Sequence, residues 1–490
     1  MATQVSTGED TRSRSAVETR SIDYVPESER HGKVWQQGPF WFLGNFQPFT
    51  VAIGLIGPAA GLSFWWTVLA CVLGIVFGTF FMAFHASQGP TLGLPQMMQS
   101  RAQMGYRGVL LPLVATLFTF VGFNVVDTTI IDSGLRAIFG WHPVAVGITI
   151  TVVAALLAIY GHDWLHRAFR VLFFVSVPFW VVLTVGIVIG AAGGIGAAGG
   201  AGGAAGVTAP KDLGFTLVGF MVQFTAAASY NITYAPYVSD YSRYLPRNSS
   251  TVRIVGAVFW GAAGSPIWLM PIGAWLASNL GFTDPLGGIH GAGEAVFTGL
   301  GSVLAALAVL ALVATMGLNA YSAMLTVLTG LDSLRPIPRT AAMRVVTIAV
   351  LSVVAAVLGI WLVRDATTAL GNTLLIMLYL LAPWTAVNLV DYFFVRRGHY
   401  AITDLFTPDG IYGGWAWRGI LAFAVGIVFE IPFMVLTFYR GIAARWLSEV
   451  DISFLVGLVL AGGLYYLLTR SLDLSAEQPA IERSEAVLPR

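Results

Sequence analysis

Charged side chains are scarce in this chain. Only 10% of its 490 residues are Asp, Glu, Lys or Arg, whereas a typical soluble domain has about 25%. So few charges cannot cover a soluble protein of this length, and the composition therefore excludes a soluble enzyme. The formal net charge is +1, which gives no indication of nucleic-acid binding.

Cysteine and the usual catalytic signatures are also lacking. The single cysteine, Cys71, excludes an internal disulfide framework and a cysteine-based metal site. His162 and His166 have helical spacing, but the intervening pattern is not that of a zinc protease, and we interpret it as a solvated loop. The glycine pattern at 194–199 has no acidic residue at the distance that a dinucleotide site requires. We expect no enzyme, no bound metal and no cofactor other than a coupling ion.

Apolar and aromatic residues are abundant instead. Hydrophobic residues make up 56% of the chain, and the mean hydropathy is +0.76. A membrane-spanning helix needs about 20 mostly apolar residues. Twelve stretches meet this requirement, and we number them as spans 1 to 12: 38–61, 64–87, 108–135, 143–161, 169–191, 213–238, 254–279, 297–329, 341–362, 366–395, 418–439 and 449–468. Their length favours helices over a barrel, whose strands have about 10 residues.

The basic residues are distributed unequally between the two ends of these spans. Of the 26 Lys and Arg residues, 21 fall on the side that carries both termini and 5 on the other. Basic residues accumulate on the cytoplasmic side of membrane proteins. We therefore predict a multi-pass protein of the plasma or inner membrane with both termini in the cytoplasm. The polar segment before span 1 has no apolar core, so we expect no signal peptide.

Spans 1 and 6 are interrupted in a similar way. Polar residues precede a proline at 44–49 in span 1 and at 230–236 in span 6. Opened backbone at membrane depth is tolerated only inside protein or beside a watery cavity. The breaks occur in the first helices of two successive blocks of five spans, and paired broken helices indicate a transporter's binding site. Two proline-kinked helices without a ligand are the alternative.

This pattern predicts a particular organisation of the chain. Five is an odd number of spans, so the second block would be inverted relative to the first. The segments are an N-terminal tail (1–37), a first repeat (38–191), a Gly/Ala-rich external linker (192–212), a second repeat (213–395), two additional helices (396–468) and a C-terminal tail (469–490).

Five motifs resemble those of the nucleobase–cation symporter family, in its purine–cytosine permease branch. They occur in the family's order at Gly89–Gln96, Ser239–Pro246, Asn319–Ser322, Asp391–Tyr400 and Glu430–Phe433. The resemblance implies an all-α LeuT-like fold, in which five-plus-five inverted repeats are followed by two extra helices. It also implies uptake of a nucleobase or related heterocycle, coupled to H⁺ or Na⁺.

The resemblance directs attention to span 3. Family substrate sites take one aromatic residue from the third helix, and Phe123 stands where the family usually has Trp. Asp127 follows four residues later and shares its face, at a position where the family often has Asn or Gln. A carboxylate inside the membrane is costly unless it is paired or protonated. We expect Asp127 to carry a proton, to contact the substrate, or both; a structural bond to another helix is the alternative.

The remaining candidates lie on spans 1, 6 and 8. The position of the second aromatic is ambiguous: the family's bacterial members suggest Asn231, its permease branch suggests Tyr234, and Tyr230 is a third option. We favour Tyr234, with Asn231 as a hydrogen-bonding neighbour. The candidates for hydrogen bonds to the substrate's edge are amides, each of which could equally cap broken backbone: Asn45, Gln47, Asn124, Asn231 and Asn319.

The coupling ion and the gate have weaker signals. A family sodium site would use backbone carbonyls of the first break and adjacent hydroxyls in span 8, where the corresponding stretch of this chain, 314–316, has one hydroxyl, that of Thr315. Together with Asp127 this favours a proton. Asp240, Arg243 and Asp391 lie at span ends, and we assign them structural or gating roles. Glu430 lies within span 11, outside the repeats, and stays unassigned.

We therefore predict a proton-coupled importer of a nucleobase-like heterocycle. The alternatives are a cationic or vitamin-like ring as substrate, sodium as the coupling ion, and, from a different class, a channel, although neither an acidic ring nor a repeated filter occurs. The expected partners are a small heterocycle and the lipid bilayer, without nucleic acid. The sequence does not indicate an oligomeric state.

Overall fold

The computed structural model describes residues 20–190, 214–338, 340–361 and 366–489. The predicted Gly/Ala-rich linker at 192–212 lies outside these residues. Within them the regular structure is helical, and the one isolated β-bridge joins Val435 and Arg440.

All twelve predicted stretches contain helix. Span 1 consists of helix 1a (Gln37–Gly44) and helix 1b (Pro48–Gly54), and span 6 of helix 6a (Leu217–Ile232) and helix 6b (Ala235–Ser242). Eight spans in the described part of the chain are long, apolar helices: Phe64–His85 (2), Leu110–Phe139 (3), Pro143–Tyr160 (4), His162–Val188 (5), Thr251–Leu280 (7), Leu300–Leu334 (8), Ala341–Trp361 (9) and Ala366–Val390 (10). Spans 11 (Trp417–Glu430) and 12 (Ser453–Thr469) are shorter.

Several shorter helices connect the spans. The longest, Pro285–Val296, joins spans 7 and 8, and Gln478–Val487 ends the described chain. The others have four or five residues: Ile56–Ala59, Gln88–Leu92, Gln96–Gln99, Arg101–Met104 and Ile442–Trp446.

Two element boundaries differ from the sequence-based expectation. The segment with His162 and His166, which we predicted as a solvated loop, forms the first turns of span 5. Leu165 and Phe169 are fully buried there, so packing draws the polar segment into the helix. Span 11 ends at Glu430, nine residues earlier than predicted, because Pro432 follows directly.

The spans form two packs of four helices. Spans 1, 2, 6 and 7 pack together, and spans 3, 4, 8 and 9 form the second pack. Spans 5 and 10 lie between the packs, while spans 11 and 12 pack on each other and on span 10. Spans 1 and 2 of the first block thus pack with their counterparts in the second block, spans 6 and 7. Spans 3 and 4 pack likewise with spans 8 and 9, as expected for an inverted repeat.

Glycine allows the closest helix approaches in the first pack. A Cβ at Gly78 would lie 2.1 Å from the Ala228 carbonyl oxygen, and one at Gly273 would lie 2.1 Å from the Val51 carbonyl oxygen. Any larger side chain would therefore push spans 2 and 6a, or 7 and 1b, apart. The outward faces of spans 4, 5 and 9 expose valines such as Val152, Val171 and Val350. Many exposed apolar side chains on one face are typical of a surface that contacts lipid rather than water.

Both described termini lie at one end of the bundle, which we call the terminal face. Arg243, at the end of helix 6b, donates to the Ser21 carbonyl oxygen at 2.7 Å, and Arg247 donates to Glu485 at 2.9 Å. Residues 20–36, which belong to the predicted N-terminal tail, are therefore packed against the bundle.

Candidate functional site

The two helix breaks meet in the middle of the first pack. The Asn45 Nδ2 donates to Asn231 Oδ1 at 2.7 Å, and both amides donate to the Ala262 carbonyl oxygen on span 7. Asn231 also donates to the Thr79 hydroxyl on span 2 at 2.6 Å. These two amides therefore join the breaks to their neighbours, which supports a capping role for both rather than a substrate contact.

Polar and proline residues produce the break in span 1. Helices 1a and 1b, with their short extensions, are bent by 62° relative to each other. The Gln47 side chain accepts the Phe49 backbone N–H at 2.7 Å, and Pro48 occupies the first turn of helix 1b. A side-chain cap and an N-terminal proline are typical of a helix start, so the chain begins a new helix instead of continuing the old one.

Four aromatic rings lie beside these breaks and form a cage: Phe49, Phe123, Tyr230 and Tyr234. Phe123 stacks on Tyr234, with centroids 5.5 Å apart and planes 15° from parallel. Phe49 stacks on Tyr230 at 5.3 Å and 11°, and it contacts Phe123 edge-on at 5.4 Å. All four rings are between 0% and 2% exposed, so the cage is closed towards both ends of the bundle.

The cage contains both aromatic residues between which the sequence left a choice. Tyr234 faces Phe123, whereas Tyr230 faces Phe49 and accepts hydrogen bonds from Gln47 Nε2 at 2.7 Å and the Thr50 hydroxyl at 2.9 Å. Hydrogen bonds from span 1 therefore fix the position of Tyr230, while Tyr234 is the ring that stacks on Phe123 of span 3. Phe49, one residue beyond Pro48, was not among the predicted site residues.

Asp127 is the most unusual side chain of this region. It is 1% exposed, and neither carboxyl oxygen has a hydrogen-bond partner among the described residues. It lies one helical turn after Phe123 on span 3 and shares that residue's face, next to the cage. A buried polar group without a partner costs roughly 1–3 kcal/mol, and more when it is charged. The alternative role for Asp127, a structural hydrogen bond to another helix, is therefore not supported by the described residues.

A chain of amides connects spans 3, 6 and 8 beside the cage. Tyr237 donates its hydroxyl to Asn319 Oδ1 at 2.9 Å, Asn319 Nδ2 donates to Asn124 Oδ1 at 2.8 Å, and Asn124 donates to the Met316 carbonyl oxygen at 3.3 Å. Both predicted amides are thus engaged with each other, and Tyr237 is an additional member that the sequence did not single out.

The predicted cation position lies where span 8 passes the first break. The Thr315 hydroxyl donates to the Ala311 carbonyl oxygen at 3.1 Å within its own helix and lies 3.5 Å from the Gly44 carbonyl oxygen. Thr315 is the one hydroxyl of the 314–316 segment. The arrangement resembles a cation site in its location but has few oxygen ligands, whereas hard cations are coordinated by several oxygens.

The predicted gate and structural residues lie outside the cage. Asp240 accepts the Gln96 backbone N–H at 3.0 Å. Asp391 is fully buried and forms an ion pair with Arg396 at 2.6 Å. It also accepts hydrogen bonds from Gln103, Tyr400 and Tyr465. Asp391 therefore joins span 10 to span 12 and to the loop after span 2.

An aromatic layer separates the cage from the terminal face. Phe40 stacks on His166 at 4.1 Å and on Phe169 at 4.9 Å, and it lies 4.8 Å from Tyr241. Trp41 connects this layer to the cage, because its ring is 6.0 Å from that of Tyr234 and 5.9 Å from that of Tyr241. Helix 1a, span 5 and helix 6b thus close the route from the cage to this end.

Glu430 lies far from the cage. It is fully buried, and within the described residues neither of its carboxyl oxygens has a hydrogen-bond partner. A Cβ at Gly457 of span 12 would lie 1.7 Å from Glu430 Oε1, so the side chain packs tightly between spans 11 and 12. It contributes nothing to the site between the two packs.

Comparisons with known proteins show which proteins this chain resembles. The sequence model of a family described as "permease for cytosine/purines, uracil, thiamine, allantoin" matches residues 24–457. The "putative purine-cytosine permease YxlA" of Bacillus subtilis (strain 168) is 34% identical over 459 residues, which cover 93% of this chain and 96% of that protein. The "purine-cytosine permease fcyB" of Emericella nidulans is 23% identical over 466 residues, covering 92% and 87%.

A solved structure has the same fold. The nucleobase–cation symport transporter Mhp1, in a closed conformation with bromovinylhydantoin bound, superposes with a TM-score of 0.71 at 19% identity, covering 96% of this chain and 100% of that chain. The expected LeuT-like architecture is therefore confirmed. The family model and the permease relatives confirm a membrane transporter rather than an enzyme. The chain belongs to the family of permeases for cytosine, purines, uracil, thiamine and allantoin.

Proposed function

We propose that this permease imports a nucleobase-like heterocycle of the cytosine or purine type together with a proton. The observation that carries the proposal is the unpartnered carboxyl group of Asp127 beside a cage of four aromatic rings. Aromatic faces suit a planar ring, and a few convergent polar groups define its orientation. The relatives named as purine–cytosine permeases are consistent with such a substrate.

The cage must open slightly to admit a ring between Phe123 and Tyr234. Their centroids are 5.5 Å apart, whereas two stacked contacts of about 3.5 Å each need about 7 Å. The two ring planes must therefore move apart by at least about 1.5 Å, through side-chain rotation or a movement of span 3 relative to span 6. Substrate binding would therefore be coupled to the relative position of the two packs.

Asp127 offers a direct way to couple proton and substrate. A protonated carboxyl group presents one O–H donor and one acceptor oxygen side by side. Cytosine and adenine each carry a ring nitrogen acceptor next to an amino donor, so such an edge can pair with both atoms at once. A neutral ring would then bind best when Asp127 carries its proton, and both would leave together.

The location of these groups suits alternating access. Phe123 and Asp127 lie on span 3 of the second pack, whereas Tyr230 and Tyr234 lie on span 6 of the first. Rocking of one pack against the other would open the site to one side at a time. The excess of basic residues at the terminal face supports a cytoplasmic location for both termini, and hence release of substrate at that face.

A permanently cationic or vitamin-like ring is the second candidate, because Asp127 could instead remain ionised and pair with the positive charge. The family description includes thiamine as well as nucleobases. Sodium is the second candidate for the coupling ion, and the Thr315 hydroxyl near the Gly44 carbonyl oxygen is the feature that favours it.

The pH dependence of binding distinguishes these substrates. We would measure the dissociation constants of cytosine, adenine and thiamine for the purified protein between pH 5 and 9. A neutral base that binds with the Asp127 proton should bind more tightly as the pH falls, by up to about tenfold per unit. A cationic ring should bind more weakly as the pH falls, because protonation removes its counter-ion.

The Asp127→Asn variant is the control for that measurement. Asparagine cannot change charge, so the pH dependence should disappear in the variant. If cytosine and adenine bind with equal affinity at every pH in both proteins, Asp127 does not couple the proton to the substrate. If only thiamine binds, the second candidate replaces the first.

A further inference from the structure

The first described residues form a segment across the terminal face, which we call the strap (residues 20–36). The Val25 N–H donates to the Gly93 carbonyl oxygen at 3.0 Å, and the Gly32 N–H donates to the Tyr244 carbonyl oxygen at 2.9 Å. Ile22 is fully buried, as is Val25. The strap is therefore anchored by backbone bonds and apolar burial to the loops after spans 2 and 6.

Two buried arginines strengthen this attachment. Arg30 is 6% exposed, and its guanidinium donates to the Val25 carbonyl oxygen at 2.9 Å and to the Pro90 carbonyl oxygen at 2.6 Å. Arg243 is fully buried and donates to the Ser21 carbonyl oxygen at 2.7 Å. Bonds from charged donors in buried surroundings are stronger than average hydrogen bonds.

The strap also reaches the second pack. Arg344, at the start of span 9, donates to the Arg20 carbonyl oxygen. Arg243 of the first pack, which holds Ser21, also donates to the Tyr321 hydroxyl on span 8 at 3.1 Å. Strap contacts therefore join residues of both packs, and these are the two bodies that alternating access would separate.

A cavity of about 200 Å³ lies under the strap and above the aromatic layer. Its walls come from the strap, helix 1a, span 5 and the end of helix 6b, and they include His31, Gln37, His162, Tyr241 and Tyr244. Phe40, His166, Phe169 and Tyr241 separate this cavity from the cage. A molecule that leaves the cage towards the terminal face would cross the aromatic layer and then meet the strap.

We propose that the strap locks the terminal-face gate, so that it must detach from one pack before the substrate can leave on that side. This inference rests on the alternating access described under the proposed function, but it does not depend on the identity of the substrate or of the coupling ion. The anchors are the bonds of Arg30 and Arg243 and the burial of Ile22.

His31 adds a weaker contact between the strap and span 5. Its Nε2 lies 3.3 Å from Asp163 Oδ1, and this hydrogen bond, opposed by partial desolvation and aided by the Glu29 carbonyl oxygen, raises the pKa of His31 to about 9. The contact is therefore complete below about pH 6.5 and is lost as the pH rises through about 9. The charged and titratable groups around it are Glu29 on the strap, His162, His166, Arg167 and Arg170 on span 5, Tyr241 on helix 6b and Tyr244 just beyond that helix.

This exposed pair is not the main anchor of the strap. Both side chains are about 60% exposed, and exposed ion pairs contribute less than about 1 kcal/mol. Removing the pair should therefore change the population of the open gate by less than about fivefold. Arg30 is the better residue to test, because its bonds are buried.

The test uses a reporter cysteine on the wall of the cavity. Cys71, which is buried in span 2, would be replaced by Ser, and Gln37, which is 2% exposed, by Cys. The rate at which a membrane-impermeant maleimide labels this cysteine reports how often the terminal face opens. We expect Arg30→Ala to raise the rate about tenfold or more, because it removes the buried bond from a charged donor of the strap to the Pro90 carbonyl oxygen. The other Arg30 bond, to the Val25 carbonyl oxygen, lies within the strap.

The matched control is Lys33→Ala, which removes the same charge from an exposed position of the strap. Its labelling rate should equal that of the reporter protein. Ile22→Ser is the second test variant, and it decides the outcome if Arg30→Ala fails to fold. Unchanged labelling in the folded test variants would overturn the proposal, as would an equal increase in the control. Since no substrate or ion gradient is needed, an error in the proposed function would not affect this result.

Discussion

Replacing Asp127 by Asn should uncouple substrate transport from the proton gradient. The side chain keeps its size, but it can no longer bind and release a proton. Asp127 is 1% exposed, and its carboxyl oxygens have no other partner in the described part of the chain. No neighbouring hydrogen bond would therefore be broken by the substitution, and the expected loss is one of function rather than of folding.

The size of the effect follows from the driving force. One proton moving down a gradient of one pH unit supplies about 1.4 kcal/mol, which is tenfold in a concentration ratio. In proteoliposomes clamped at zero potential, the native protein should accumulate cytosine or adenine about tenfold across such a gradient. The Asp127→Asn variant should equilibrate the substrate to a ratio of about one, while it still exchanges labelled for unlabelled substrate.

A second acid on the same span provides the matched control. Asp132 lies five residues further along span 3 and is 9% exposed. Its carboxyl group faces Gly147 of span 4, since a Cβ there would lie 3.5 Å from Asp132 Oδ2. Asp132→Asn should retain tenfold accumulation. Tenfold accumulation by Asp127→Asn, or its loss only in Asp132→Asn, would refute the assignment of the proton to Asp127.

Three further substitutions test other parts of the account. Phe123→Ala should raise the KM for uptake about 5- to 150-fold, because one base–aromatic stack is worth about 1–3 kcal/mol, whereas Phe123→Trp should keep a KM near the native value. Asp391→Ala leaves Arg396 with its pair to Glu477 but removes the buried acceptor of Gln103, Tyr400 and Tyr465; each buried polar group left without a partner costs about 1–3 kcal/mol, so the melting temperature should fall, while Asp391→Asn has a smaller effect. Thr315→Ala should leave both the uptake rate and its response to a sodium jump unchanged; loss of a sodium-stimulated rate would indicate sodium coupling.

The general architecture could be predicted because it is encoded locally. Each span is a long apolar run, and each break has a proline next to polar residues. Phe123 and Asp127 could be placed on one face because they are four residues apart on a helix. Residues four apart on a helix share a face whatever the rest of the fold is. The spans, the breaks and this shared face could therefore be predicted from short stretches of sequence.

Contacts between distant segments could not be predicted in the same way. Asn45 and Asn231 are 186 residues apart and bond to each other, and nothing in either local sequence distinguishes this cap from a substrate contact. The pairing of Tyr230 with Phe49 likewise depends on how helices 1b and 6a lie together. The sequence feature that could have indicated Phe49 as a site residue is its position directly after Pro48 at a helix break.

Packing also changed the interpretation of two polar segments. The segment that begins at His162 has the composition of a loop, yet it is helical because Phe169 and its neighbours stack against helix 1a. The segment before span 1 has the composition of a tail, but two of its apolar residues, Ile22 and Val25, are fully buried. Average polarity does not reveal such anchors, since one or two well-placed apolar side chains are sufficient.

Direct detection of proton movement tests the central claim most sharply. A pH-sensitive dye inside proteoliposomes, at equal pH on both sides and with the potential clamped, would report protons that enter when cytosine or adenine is added outside. We predict that the interior acidifies in proportion to substrate entry, without sodium, and that Asp127→Asn abolishes the acidification. Substrate entry through the native protein without any acidification would contradict the claim that Asp127 carries a proton with the substrate.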